Sequence, residues 1–157
     1  MLLLPPVKYK KAILTLQDDF TVQGDGFGKI GTYTGELVFT TGMTGYVESL
    51  TDPSYAGQIL TFSYPLIGNY GVNPKWYESS KVHPKAIVVS ELCDYPVHRD
   101  SKSTLHDFLL KQQIGGIKGI DTRALIRTIR RLGVVPSVLT VYEQKEDEDL
   151  IQKVTTK

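Results

Sequence analysis

The segment Asp52-Pro53-Ser54-Tyr55 carries the residue types that most directly suggest ligand chemistry. Thr51 or Asp52 can cap a short helical turn, and proline suits the first position of such a turn. The turn would present the Ser54 hydroxyl together with free backbone N–H groups, which suit a carboxylate. Because a hydroxyl can also bond to an ammonium group, an amino acid is a plausible ligand. The alternative is a capped turn wrapped in aromatic packing.

The surrounding stretch, residues 41–73, is poor in charge. It contains four tyrosines and five glycines, but its only charged side chains are Glu48 and Asp52. Uncharged surfaces that carry tyrosine are typical of the cores of protein interfaces. We therefore expect this stretch to be covered, either by the protein's own core or by another chain.

Residues 26–31 read GFGKIG and match the pattern G-x-G-x-x-G. A dinucleotide-binding loop of this kind needs a strand before it and a helix after it. Here the following residues, 32–35, lead to another strand, and the companion motifs of a kinase glycine-rich loop are missing. We predict a connection between strands in which glycine supplies a positive φ.

Cys93 and the three histidines are the remaining candidates for nucleophilic or metal chemistry. A catalytic thiol needs a nearby base and an electropositive setting, and no nucleophile motif surrounds Cys93 although His98 is close in sequence. We predict a buried structural thiol. The histidines lack metal-ligand spacing. His106 is expected on a solvated helix face, and His83 in a turn or at a hydrogen-bonded edge.

Residues 121–132 form the clearest helical pattern, with two distinct faces. The apolar face consists of Leu125, Ile126, Ile129 and Leu132. The opposite face collects Arg123, Arg127, Arg130 and Arg131. The arginines could dock an acidic partner or a phosphate backbone. We favour a solvated helix whose cations lie toward the negative end of its dipole, and RNA binding is disfavoured because no aromatic platform accompanies the arginines.

Length and composition limit the classes of protein to which the chain can belong. The 157 residues fit one domain, which can bury about 70% of its unfolded surface. A net charge of +1 gives no global attraction for nucleic acid or an anionic membrane. One cysteine fits a reducing compartment. The apolar run at the start of the sequence is too short for the apolar core of a signal peptide or for a membrane span. We expect a soluble cytoplasmic protein.

The pattern of elements predicts a mixed α/β domain. We expect a hairpin from residues 12–16 and 20–23, then a glycine-rich loop over 24–35. Further strands are expected at 35–39, 58–64, 86–92 and 134–142, and helices at 104–111 and 121–132, with a helical turn after residue 52. Residues 143–157 are acidic and polar, which suggests a frayed helix or the opening of a linker.

Several long motifs together resemble one known family. They are residues 35–39 (GELVF), 41–46 (TGMTGY), 50–55 (LTDPSY), 64–71 (YPLIGNYG), 78–83 (ESSKVH) and 119–123 (GIDTR). In this order they resemble the N-terminal domain of the small subunit of carbamoyl-phosphate synthetase, and the similarity runs from about residue 12 to about residue 140.

The resemblance implies a three-layer β/β/α domain of the swivelling type over residues 1–142. Residues 143–157 would begin a linker toward a class I glutamine amidotransferase domain. In the family, that domain hydrolyses L-glutamine with a cysteine thiolate. The ammonia then reaches a large synthetase subunit, which uses ATP, Mg²⁺ and bicarbonate to make carbamoyl phosphate for pyrimidines and arginine. No cofactor is expected in this chain.

The resemblance also assigns one site residue. The family's glutamine contact in this domain is the serine of the D-P-S-Y motif, here Ser54. The amidotransferase elbow G-x-C-x-G-x-Q and the later H-x-E do not occur in the 157 residues, so Cys93 is not that nucleophile and the catalytic residues are expected on another segment. Departures from the family at Thr40, 96–99 and 134–137 affect the expected loop contacts.

Three functional hypotheses follow. The first is a scaffold domain that helps bind glutamine and joins the glutaminase to the synthetase. The second is a stand-alone binding module of the same fold with a different partner. A nucleic-acid protein that uses the arginine face is a weaker third. The sequence does not distinguish the arginine pathway from the pyrimidine pathway.

Overall fold

The computed structural model describes residues 8–17, 20–42, 45–94, 96 and 100–145. Within these residues the chain forms nine strands, three α-helices and short 3₁₀ turns. The strands are β1 (Lys8–Leu16), β2 (Phe20–Gly28), β3 (Gly31–Thr40), β4 (Gln58–Phe62), β5 (Leu66–Ile67), β6 (Ala86–Val88), β7 (Glu91–Leu92), β8 (Gly115–Lys118) and β9 (Pro136–Lys145). The helices are α1 (Tyr46–Leu50), α2 (Leu105–Lys111) and α3 (Thr122–Leu132).

Seven strands close into a barrel in the order β1-β2-β8-β6-β4-β3-β9. Neighbours are parallel from β8 through β6 and β4 to β3, and antiparallel elsewhere, while β5 and β7 form a separate parallel pair. The expected mixed α/β class is confirmed. The expected three-layer β/β/α arrangement does not match this barrel. The strand β9 pairs with both β1 and β3 and thereby joins the two edges of one sheet.

Alternation along the central strands creates two cores. Ile59 of β4 packs inside the barrel, whereas its neighbour Leu60 packs outside, and Ala86 and Ile87 of β6 divide in the same way. The inner core includes Leu14, Leu37, Val88, Ile117 and Leu139. The outer core joins β4 and β6 to α1 and α2 through Val47, Leu50, Phe62, Leu105, Phe108 and Leu109.

The helix α3 covers the end of the barrel at which β3 and β4 end. Its residues Leu125 and Ile129 complete the inner core, and the Arg130 guanidinium lies 5.0 Å from the centre of the Phe39 ring. The predicted start is confirmed, since the Asp121 carboxylate accepts a hydrogen bond from the Ala124 amide at 3.0 Å. All four arginines of its outer face are exposed.

The glycine-rich stretch is not the loop that was expected over residues 24–35. Its first half continues β2 to Gly28 and its second half begins β3 at Gly31, so that the connection is short. The glycines permit close strand packing: a Cβ on Gly24 would lie 2.3 Å from the Lys118 carbonyl oxygen. The predicted positive φ occurs at Gly28, where φ is 73°.

Other predicted elements lie close to their observed positions. The hairpin is present and longer than expected, and the segment 86–92 divides into β6 and β7. The helix α1 and the strand β8 were not predicted; β8 begins with two glycines, which disfavour a strand. In the described part of the chain, no helix has the length and apolar character needed to cross a membrane.

Candidate functional site

The candidate site is built on the 3₁₀ turn Pro53–Tyr55, which confirms the helical turn expected after residue 52. The Asp52 carboxylate caps it by accepting a hydrogen bond from the Ser54 amide at 3.0 Å. The Tyr55 amide donates to the Asp52 carbonyl at 3.2 Å. Gly57 then ends the turn with a φ of 78°. The N–H groups expected to be free are therefore bonded inside the turn, and they do not form a carboxylate site.

The Ser54 side chain is exposed beside the Asp52 carboxylate. Hydrogen bonds from the Ser54 amide and from the Ser54 side chain lower the pKa of Asp52, and the nearby His83 acts in the same direction. The Ser54 hydroxyl oxygen has lone pairs that can accept a hydrogen bond from an external donor, and the carboxylate beside it attracts cations. The turn therefore favours an ammonium group over a carboxylate.

Thr51 anchors the turn from beneath and is fully buried. Its hydroxyl donates to the Val47 carbonyl at 2.9 Å and accepts from the Glu78 amide at 2.7 Å. The Ser79 hydroxyl donates to the Thr51 carbonyl at 2.6 Å. These bonds join the end of α1 to the segment 78–83, so that the position of the turn is fixed by the core behind it.

Ser79 and His83 resemble a nucleophile and its base, because Ser79 Oγ lies 2.9 Å from His83 Nε2. The short bond to the Thr51 carbonyl uses the hydroxyl proton, so His83 must donate to the serine oxygen. A histidine that donates to the hydroxyl cannot activate it as a base. The His83 amide also bonds to the Leu50 carbonyl at 2.9 Å, which confirms the predicted hydrogen-bonded position of this residue.

Replacing Thr51 by valine should destabilise the fold by about 1–2 kcal/mol. Valine keeps the shape but leaves the Glu78 amide without its acceptor in a partly buried position. Urea unfolding of Thr51→Val and Thr51→Ser measures the effect, because serine retains the hydroxyl. Equal stability of Thr51→Val and the parent chain would show that this hydroxyl does not anchor the turn.

The tyrosines of the charge-poor stretch are covered mainly by the protein's own core. Tyr46 stacks on Tyr70 with ring centres 4.4 Å apart, and Tyr70 meets Trp76 edge-on at 5.6 Å. The Gly45 amide donates to the Tyr70 hydroxyl at 2.8 Å, and burial raises the pKa of both stacked tyrosines. The adjoining crevice measures about 10 Å³, which is room for about one water molecule.

Cys93 is half-buried, where a buried thiol was expected. Its amide donates to the Ile67 carbonyl at 2.9 Å and so extends the pairing of β5 with β7. His98 lies outside the described residues. Across the described ranges, no three histidine, cysteine, aspartate or glutamate side chains lie close enough together to hold a metal ion.

His106 is not on a solvated face, contrary to the sequence prediction. Its ring is half-buried, and Nδ1 accepts a hydrogen bond from the Gly28 amide at 3.0 Å. The Lys10 ammonium donates to the Gly28 carbonyl at 2.7 Å. The histidine therefore joins α2 to the end of β2, and it can do so only while Nδ1 is unprotonated.

Stability should fall as the pH drops below about 6.5, the ordinary pKa of histidine. Burial lowers the pKa of His106, as do Lys10 and Lys118, while Asp107 and Asp94 oppose the shift. Between the folded and unfolded pKa values the unfolded chain binds more protons, so the free energy of unfolding rises with pH there. Urea titrations from pH 5 to 8 should give a smaller slope for His106→Gln. An unchanged slope would contradict this assignment.

The fold and the site define a barrel domain that presents the polar turn Pro53–Tyr55 to solvent. The family profile described as "Carbamoyl-phosphate synthase small chain, CPSase domain" matches residues 14–139. The chain therefore belongs to the carbamoyl-phosphate synthase small chain family, as the sequence motifs indicated.

Relatives in several organisms agree with this assignment. The chain is 50% identical over 143 residues to the carbamoyl phosphate synthase small chain of Syntrophotalea carbinolica, covering 91% of this chain and 38% of the relative. It is 45% identical over 161 residues to the small chain of Methanosarcina acetivorans, covering 94% of this chain and 44% of the relative. The chain thus spans about two fifths of the length of these relatives.

Proposed function

We propose that this chain acts as the N-terminal, non-catalytic domain of the small subunit of glutamine-dependent carbamoyl-phosphate synthase. The single observation that carries the proposal is the exposed Ser54, held on a capped and anchored turn inside the segment that matches the family. The domain would contribute to glutamine binding, hold the glutaminase domain and dock to the large subunit.

Ser54 would contact the ammonium end of glutamine. Its oxygen accepts a hydrogen bond, and the ionised Asp52 beside it adds electrostatic attraction for a cation. The buried network under Thr51 keeps this pair in place before the ligand arrives. The role is that of a binding residue, since the described part of the turn offers no group placed to attack an amide.

The chemistry would be supplied by two partners. A class I glutamine amidotransferase domain would hydrolyse L-glutamine with its own cysteine, histidine and glutamate. A large synthetase subunit would bind ATP and Mg²⁺ and combine ammonia with bicarbonate to form carbamoyl phosphate. The complex would be a cytoplasmic ligase that serves pyrimidine or arginine biosynthesis.

Reconstitution tests this proposal. The chain is mixed with a glutaminase domain and a large subunit from a close relative, and carbamoyl phosphate is measured with glutamine or with ammonia as the nitrogen source. Glutamine-driven synthesis should require the chain, while ammonia-driven synthesis should proceed without it. Glutamine-driven synthesis at the full rate without the chain would favour a binding module with another partner.

A further inference from the structure

The strand β3 has a free edge over its first five residues. Residues 31–35 pair with β9 on one side, but pairing with β4 on the other side begins only at Glu36. In the described part of the chain, no strand continues the sheet beside residues 31–35. At about 3.3 Å per residue this edge is about 17 Å long, enough for one short extended segment.

The backbone groups on this edge can be assigned from the neighbouring hydrogen bonds. The Leu37 amide donates toward β9, to Val135, whereas the Thr40 carbonyl accepts on the β4 side, from Ser63. Backbone groups of successive strand residues alternate between the two edges. Thr32 and Thr34 therefore direct their N–H and C=O groups toward the free edge, and both residues are exposed.

A groove of about 600 Å³ runs along this edge. Its other wall is formed by the segments that precede β4, β6 and β8, with Gly57, Lys81, Lys85 and Gln113 among them. None of the described residues that line it is acidic. Lys81 and Lys85 are exposed, and neither forms an ion pair with another described residue. The groove thus combines backbone donors and acceptors with positive charge.

We propose that this groove binds an extended, acidic segment of a partner polypeptide by strand addition. The segment would take the place that β4 leaves open beside Thr32 and Thr34, and its carboxylates would meet Lys81 and Lys85 on the opposite wall. Main-chain hydrogen bonds give such binding its affinity, and the side chains give it specificity. A nucleic acid would satisfy the lysines but not the alternating donors and acceptors of β3.

A capped pentapeptide of alternating valine and glutamate serves as the probe for the 157-residue chain. Its binding should shift the amide resonances of residues 31–35, 81–83 and 85, as followed by ¹⁵N NMR. The double variant Lys81→Glu/Lys85→Glu should bind about tenfold more weakly or worse. The matched variant Arg123→Glu/Arg127→Glu changes the net charge equally on α3, at the other end of the barrel, and should bind normally.

A second probe separates strand addition from charge attraction without altering the protein. The same peptide with alternate N-methyl groups keeps its glutamates but loses the donors that would face β3, and it should bind about tenfold more weakly or worse. Equal binding of the methylated peptide overturns the proposal, as does an absence of shifts at residues 31–35. If a fifteen-nucleotide oligothymidine binds more tightly and displaces the peptide, the proposal is also overturned, because the groove then prefers nucleic acid.

Discussion

Replacing Ser54 by alanine is expected to weaken the use of glutamine about ten- to hundredfold in the assembled synthase. A hydrogen bond to a charged group contributes about 1.5–3 kcal/mol, which corresponds to that range in the kinetic parameter for glutamine. Synthesis from free ammonia should be unchanged, because ammonia does not need the glutamine site. Initial rates over a range of glutamine and ammonia concentrations measure both effects.

A matched control removes a hydroxyl from the opposite end of the barrel. Thr128 lies on α3, where its hydroxyl donates to the Ala124 carbonyl of the same helix at 3.2 Å. Thr128→Ala should leave both nitrogen sources unaffected. Because the Ser54 side chain is exposed, Ser54→Ala should also unfold at nearly the parent urea concentration. An unaltered dependence on glutamine in folded Ser54→Ala would remove this residue from the site.

Replacing Gly24 by alanine is expected to destabilise the chain by about 1–3 kcal/mol or more. The added Cβ would lie 2.3 Å from the Lys118 carbonyl oxygen and 3.0 Å from the Ile117 side chain. The first of these is a backbone atom of β8, so relief requires the two strands to move apart. Urea unfolding followed by circular dichroism measures the loss of stability.

Gly31→Ala is the matched control for this prediction. Gly31 lies in the same glycine-rich stretch, but the nearest described neighbour of a Cβ there would be the Tyr33 hydroxyl at 3.5 Å, which is ordinary contact. Its φ is outside the left-handed region. Alanine at this position should therefore change stability by no more than about 0.5 kcal/mol. Equal losses for the two variants would show that close strand packing is not the reason for Gly24.

Elements defined by local signals could be predicted from the sequence. The turn at Pro53–Tyr55 follows from a capping aspartate and a proline, and α3 follows from Asp121, a period of about 3.6 residues and Gly133. The alternation along β4 likewise separates an inner from an outer face. Each of these features depends on residues within one short window of the chain.

Features that depend on distant contacts could not be predicted. Glycines usually indicate a loop, but Gly24 is in a strand because β8, about ninety residues later, approaches its backbone. The closure of the barrel depends on β9 meeting both β1 and β3. His106 looked solvated because the Gly28 amide that it accepts from is 78 residues away.

In the candidate site, too, the features set by local sequence could be predicted and those set by other contacts could not. The capped turn and the exposed Ser54 were foreseen from the D-P-S-Y segment. The bonds that occupy the expected anion-binding amides were not: the Asp52 carboxylate accepts from the Ser54 amide, and the Asp52 carbonyl accepts from the Tyr55 amide within the 3₁₀ turn. The support through Thr51 and Ser79 was also missed, since hydroxyls 28 residues apart leave no pattern in a sequence.

The pairing of β1 with β9 has a consequence for synthesis on the ribosome. Nine residue pairs, from Lys8 with Lys145 to Leu16 with Ser137, connect the earliest described strand to the last. Until β9 has left the exit tunnel, β1 and β3 of a nascent chain therefore each have one edge whose backbone N–H and C=O groups lack their partner strand. Translation that stalls before residue 136 would leave two strands with unpaired edges, which can pair with strands of other nascent chains and aggregate.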